Sequence, residues 1–201
     1  MSEYKLKLNN GSYTNIDIEI GDYVIDCGAN VGCVTDAFHK AGANVVAFEP
    51  NPHAFEKLQQ RFDSCPRVKC IQKAVSNVDN EQIKLFLHEN ANSDQLLFST
   101  GSSILEDKVN ININTYVWVK TINLSRFISD CETPIKVLKI DIEGAEIEVL
   151  NNLMDTGIIK SIPYVFVETH EQKIPSLVDA TQQLRDRIRN EHYSNINLDW
   201  I

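Results

Sequence analysis

Two short segments hold residues whose types and spacing could do chemistry. The first runs Val24-Ile25-Asp26-Cys27-Gly28-Ala29-Asn30-Val31-Gly32, and Val45-Val46-Ala47-Phe48-Glu49 follows it. An apolar strand enters a glycine-bearing turn, a helix follows, and a second apolar strand ends on a carboxylate. Gly28 and Gly32 can let the backbone approach a ligand closely. Glu49 lies 21 residues after Gly28, the spacing at which an acid can take both hydroxyls of an adenosine ribose. That pattern predicts a nucleoside-containing cofactor. The plainer alternative is a tight turn without a ligand.

The glycine spacing bears on which cofactor. A dinucleotide fingerprint, G-x-G-x-x-G, frees backbone N–H groups for a pyrophosphate. Here the turn reads G-A-N-x-G and lacks the central glycine. Asp26 stands just before it, where a carboxylate repels a pyrophosphate. It suits a cationic ligand end, an amino group or a sulfonium, and S-adenosylmethionine carries both. A nicotinamide dehydrogenase is disfavoured on the same two grounds.

The second segment is Ile140-Asp141-Ile142-Glu143-Gly144-Ala145-Glu146. Asp141 ends an apolar strand next to a helix start, where a capping role is the plain reading. Glu143 and Glu146 also suit a first helical turn electrostatically. Further on, Tyr164-Val165-Phe166-Val167 leads into Glu168 and His170.

These residues need elements to position them. Residues 4–20 read as a hairpin, with alternating apolar residues either side of Asn9-Asn10-Gly11. Strands are expected at 23–27, 44–49, 67–73, 135–140 and 163–168, with a last one within 194–201. Helices are expected after Gly28, with a stripe of Val31, Val34, Phe38 and Ala41, and after Asn51-Pro52, with Phe55, Leu58 and Phe62 inward. Others follow Gly144 and span 174–190, the latter striped by Leu177, Val178, Thr181, Leu184 and Ile188. The stretch 80–121 breaks the alternation. Two strands, 83–87 and 116–119, flank an Asn- and Ser-rich loop or lid over 89–114. Alternating strands and helices imply a mostly parallel sheet with right-handed crossovers. Ligands of such sheets sit beyond the strands' carboxyl ends, and Asp26, Glu49, Asp141 and Glu168 all fall near such ends.

The 201 residues read as a single domain with room for a full core. Net charge is −9, and the basic residues form no cluster apart from Arg185, Arg187 and Arg189. That argues against nucleic acid or an anionic membrane as partner. The N-terminal residues lack the apolar run of a secretory signal, and no run approaches a membrane span. Five cysteines, an odd number, read as reduced thiols, so a cytoplasmic location is expected.

Taken together, V-I-D-C-G-A-N-V-G, V-A-F-E-P-N-P, K-A-V-S, G-S-S-I-L, V-L-K-I-D-I-E-G-A-E-I-E-V-L and V-F-V-E-T-H resemble the FkbM family of S-adenosylmethionine-dependent methyltransferases. They span residues 24 to 170. The resemblance implies a class I methyltransferase fold, a Rossmann-like twisted sheet with helices on both faces, and O-methylation of a hydroxyl on a small molecule or sugar. By the matching motifs, Asp26, Gly28, Ala29, Asn30 and Gly32 hold the methionine end of the cofactor, with Asp141 beside it. Glu49 holds the ribose, and Ala74 and Val75 lie near the adenine. Ser102 and Ser103 match a small-Ser-Ser stretch of open role. Thr121-Ile122-Asn123-Leu124 departs from the family's Leu-Asp pair. The C-terminal end leaves room for about one strand where the full fold carries an antiparallel pair.

A sulfonium methyl is already activated, so such an enzyme supplies alignment and a base for a hydroxyl acceptor. His170 is the expected base, with Asp141 and Glu168 converging beside it; the plain alternative is a loop histidine bonded to backbone. The same three residues could instead hold a divalent cation that lowers the hydroxyl pKa. The metal-free version is favoured, because no carboxylates within a few residues of one another form a dedicated cage. A non-catalytic protein of the same fold, binding cofactor or a partner, is the competing reading; the intact strand-end acids favour the enzyme.

Overall fold

The computed structural model describes residues 2–7, 13–91, 93–94 and 96–200, with side chains from residue 16 onward. Strands β1 (Ser2–Lys7) and β2 (Tyr13–Ile18) pair antiparallel, as the alternation predicted. The turn expected at Asn9-Asn10-Gly11 lies outside the described residues.

Strand β3 (Tyr23–Cys27) is buried along its length and leads through the Gly28–Gly32 turn into α1 (Cys33–Ala41). Strand β4 (Asn44–Phe48) follows, then α2 (Pro52–Phe62), which Asn51 caps by accepting the His53 N–H at 3.0 Å. Pro52 fills the first helical position, where its missing N–H costs nothing. Strand β5 (Val68–Ile71) closes this half. Thr35 and Phe38 are the buried residues of α1, and Ala54, Leu58 and Phe62 those of α2. Burying Phe38 or Leu58 completely is worth about 1.5–3 kcal/mol each.

Strands β6 (Ala74–Ser76), β7 (Gln82–His88) and β8 (Ile111–Asn123) form a separate three-stranded sheet in the order β6-β8-β7. The connection expected over 89–114 is therefore shorter, because β8 begins at Ile111 and residues 111 and 112 already pair with β7. Two elements here were not anticipated. One is β6, whose three residues pair parallel with the end of β8. The other is α3 (Leu124–Ser129), where Asn123 caps by accepting the Arg126 N–H at 3.0 Å.

Strand β9 (Ile135–Ile140), helix α4 (Glu146–Asp155), strand β10 (Tyr164–Val167), helix α5 (Val178–Asn190) and the short β11 (Ile196–Asn197) complete the chain. Val178, expected inward on α5, is half exposed; Thr181 and Leu184 carry the burial instead.

The main sheet has six strands in the order β11-β10-β9-β3-β4-β5, every pair parallel. It is an α/β sheet of the Rossmann-like kind. The chain winds outward from β3 to β5, then restarts at β9 and winds the other way. The reversal lies between β3 and β9, so the crevice for a ligand opens beyond their carboxyl ends. Gly28 and Asp141 stand at those two ends, joined by the Asp141 N–H to the Cys27 carbonyl at 3.1 Å. Strand β10 is one place removed from β3, with β9 between them. Residues 141 and 168 thus leave adjacent strands, and only the first borders β3.

Candidate active site

A cavity of about 90 Å³, partly open to solvent, lies at this reversal. Its floor is Gly28, Asn30, Glu49 and Asp141; its walls include Ala74, Val75, Leu85, Ile104 and Ile142. An apolar wall with a few convergent polar groups is the make-up of a small-molecule site. Glu49, Asp141 and Glu143 make it acidic, with Lys73 the one basic side chain in the lining.

Glu49 is held rigidly. Its Oε2 accepts the Asn30 N–H and its Oε1 the Asn51 N–H, both at 2.8 Å. Burial raises its pKa from 4.5 to about 7, even though both hydrogen bonds favour the charged form. Each oxygen keeps a further lone pair for a ligand hydroxyl.

The glycines act differently from expectation. Gly28 has φ +79°, and a Cβ there would run into the Asp141 carbonyl. Gly32 has φ +84°, and its Cβ would meet Phe62 and Leu58 at 2.6 and 2.8 Å. Both close approaches are between parts of the protein, so chain packing requires each glycine, and Gly28 borders the cavity as well. Ala29 and Gly32 do not line the cavity; Gly28 and Asn30 do.

Asp26 is also placed differently. It is fully buried within β3. Thr35 Oγ1 donates to its Oδ2 at 2.6 Å, and Lys139 Nζ lies 3.1 Å from its Oδ1. It is outside the cavity lining, so the carboxylate expected at the ligand's cationic end is matched by the protein's own ammonium. Lys139 is 2% exposed. Its amine donates to the Gly28 carbonyl at 2.7 Å and the Cys27 carbonyl at 3.2 Å, and approaches Asp141 Oδ2 at 3.5 Å. Burial alone would lower its pKa, but Asp26 and Asp141 more than offset that and raise it. Lys139 therefore stays charged and pins β9 to the turn after β3.

His170 is 2% exposed and surrounded by carboxylates. Its Nδ1 lies 2.9 Å from Glu146 Oε1. Its Nε2 faces Glu143 Oε2 at 3.2 Å, Asp141 Oδ1 at 3.6 Å and Glu168 Oε1 at 3.7 Å. Burial pulls its pKa down, yet Glu146, Glu143 and Asp141 raise it to about 9. Near neutrality the ring holds its proton and has no lone pair to accept another. The expectation of a free general base is not met by this arrangement. Neither His170 nor Glu168 lines the cavity, whereas Asp141 does. Burial and the nearby Asp141 also raise the pKa of Glu168.

Several residues of the site escaped the sequence reading. Glu146 accepts the Ile142 and Gly144 N–H groups, both at 2.9 Å, before it meets His170. Its signal was present in D-x-E-G-x-E, where it was taken for first-turn electrostatics. Lys108, alone in a polar loop, gave no signal. It is buried, with Nζ 2.6 Å from Glu143 Oε2 and 2.8 Å from the Gly101 carbonyl. Ser99 accepts from Asn30 and Ser102 from Asn51, at 3.0 and 3.1 Å. Ser103 donates to the Glu143 carbonyl at 2.6 Å. Residues 99–108 are thus stitched to the rim of the cavity.

The hexuronic acid methyltransferase AglP of Haloferax volcanii is 27% identical over 187 residues, covering 91% of this chain and 70% of that protein. A chloroplastic ribosomal RNA small subunit methyltransferase of Arabidopsis thaliana is 32% identical over 57 residues, only 28% of this chain and 17% of that protein. Residues 26–194 match the methyltransferase FkbM domain. The chain belongs to the FkbM methyltransferase family.

Proposed function

We propose that the protein uses S-adenosylmethionine to methylate a hydroxyl oxygen of a sugar or a related small molecule. The placement of Glu49 carries this reading. A carboxylate with both oxygens fixed by backbone donors faces a cavity with an apolar wall. That combination suits a ribose diol beside an adenine. The cofactor fits the lining on chemical grounds: Glu49 for the ribose, Ala74, Val75 and Leu85 for the base, and Asp141 and Glu143 for the cationic end. Bound there, it supplies an activated methyl group. The protein's own share is to orient the two partners, exclude water and hold charge.

The resemblance to a hexuronic acid methyltransferase over most of the chain supports a sugar acceptor. Among the described residues no helix is long and apolar enough to cross a membrane. Together with five free cysteines, this supports a cytoplasmic enzyme that meets a water-exposed acceptor. The reading is tested by thermal unfolding with S-adenosylhomocysteine and with NAD. A ligand that binds only the native state raises its melting temperature. S-adenosylhomocysteine is expected to do so and NAD not; equal stabilisation by NAD would refute the assignment.

A further inference from the structure

The charges beside the cavity do not balance. Asp26, Asp141, Glu143, Glu146 and Glu168 converge there, five carboxylates against two buried lysines, Lys108 and Lys139, and the single His170 ring. Lys108 is committed to Glu143, and Lys139 to Asp26 and one oxygen of Asp141. Lys173 reaches Glu168 only at 3.9 Å and is half exposed. The oxygens left without a fixed cation are Asp141 Oδ1 and those of Glu168. His170 Nε2, nine-tenths buried and without a hydrogen bond of good geometry, lies 3.6 Å from the first and 3.7 Å from the second, with Glu143 Oε2 at 3.2 Å.

We propose that Asp141, Glu168 and His170 form a divalent-cation site at the edge of the cavity. Asp141 Oδ1, a Glu168 carboxylate oxygen and His170 Nε2 are its protein ligands, the ion displacing the Nε2 proton to solvent.

Three observations support it. First, one ligand atom from each residue lies within 4.8 Å of the others. An octahedral ion with bonds of about 2.1 Å places adjacent ligands about 3 Å apart. His170 Nε2 is already 3.6 Å from Asp141 and 3.7 Å from Glu168, so small side-chain rotations close the shell. Second, Glu146 stands against Nδ1 at 2.9 Å and is itself fixed by two backbone N–H groups. A carboxylate behind one ring nitrogen, turning the other toward the ion, is the usual support of a histidine ligand. Third, Asp141 and Glu168 keep about a quarter of their side-chain surface exposed while His170 is enclosed. An ion can therefore enter and keep positions open for water or an acceptor oxygen. Two carboxylates with one imidazole suit Mn²⁺ or Mg²⁺. Glu143 is excluded as a fourth ligand because Lys108 holds its nearer oxygen.

The role of such an ion rests on the methyltransferase reading. Asp141 lines the cavity, so an acceptor hydroxyl bound to the ion there would lose its proton to solvent more readily. Such a site stands against the expectation of a metal-free one, its ligands coming together from two segments, residue 141 after β9 and residues 168–170 after β10.

Binding is tested without cofactor or acceptor. Mn²⁺ is titrated into the full chain, and the spectrum of free aquated Mn²⁺ is followed by electron paramagnetic resonance. One ion per chain should bind. Glu168→Gln and His170→Gln should each weaken binding by more than about tenfold, as ligand loss does. Glu148→Gln, an exposed site on α4, should leave it unchanged. Circular dichroism and the melting shift with S-adenosylhomocysteine are recorded for each variant. A Glu168→Gln protein that is folded and still binds S-adenosylhomocysteine, yet has lost Mn²⁺, upholds the site. Free Mn²⁺ undiminished by excess wild-type protein, or binding unaltered in both ligand variants, overturns it. Loss of the S-adenosylhomocysteine shift in the wild type would instead count against the methyltransferase reading, leaving the Mn²⁺ result to decide the metal site.

Discussion

Replacing Glu49 with Gln keeps the side chain's shape and removes its charge. In the structure both carboxylate oxygens accept backbone N–H groups at 2.8 Å. An amide can accept only one of them and turns its NH₂ toward the other donor. Loss of a charge-assisted ribose contact is expected to weaken S-adenosylhomocysteine binding at pH 8 by about 1.5–3 kcal/mol, roughly 10–150-fold. The dependence on pH is the sharper test. Burial sets the Glu49 pKa at about 7 in the free protein, and a ribose diol needs the ionised form. Wild-type affinity should therefore fall as pH drops below about 7, approaching tenfold per unit. The variant should lack this fall. Stability moves in the opposite sense. A carboxyl whose pKa is raised on folding stabilises the protein fully below 4.5, and that contribution is lost as pH rises through about 7. The difference amounts to about 3 kcal/mol. The ligand-free variant should regain ground on the wild type by about that much between pH 5 and pH 8. Calorimetry gives the affinities and denaturant titration the stabilities. Equal affinities, or parallel pH profiles in both experiments, would refute the placement of the ribose at Glu49.

Three further substitutions probe the frame around the cavity. Lys139→Met strands Asp26 in the sheet without its cation and should cost about 3–5 kcal/mol in denaturant titration. Gly28→Ala drives a Cβ into backbone at positive φ, so it should be far worse than Gly32→Ala, whose obstacles are two side chains that can yield for about 1–3 kcal/mol; melting temperatures rank the pair. Lys108→Met removes two charge-assisted hydrogen bonds between residues 101, 108 and 143. It should speed amide exchange over 99–108 while leaving that of β3 and β9 slow.

The sheet was legible because its strands are continuous apolar runs bounded by turn residues, as in Val24–Cys27, Val45–Phe48 and Ile135–Ile140. Strand β6 was not, since three residues carry no period and its pairing with β8 is set across 47 positions. Helix α3 hid for a similar reason: six residues span less than two turns, and only the Asn123 cap marked it. At the site, Glu49 could be placed from spacing because a parallel sheet fixes where a strand ends. The partner of Asp26 could not. Lys139 lies 113 positions away and meets it only because β9 pairs beside β3. The same holds for His170, whose ring was expected as a base beside Asp141 and Glu168 only. Its four carboxylate neighbours come from two loops and a helix start, and their sum decides its charge.

Methyl transfer itself is the most direct test. The protein is incubated with S-adenosylmethionine carrying a tritiated methyl group and with hexuronic acids, free and glycosidically linked, and the recovered sugar is treated with mild base. Transfer to a hydroxyl oxygen leaves an ether, so label is expected on the sugar, retained through base, and absent with Glu49→Gln at limiting cofactor. No label on any sugar above a protein-free control would contradict a sugar acceptor. Label released by base as methanol would place the methyl on a carboxylate and contradict the hydroxyl.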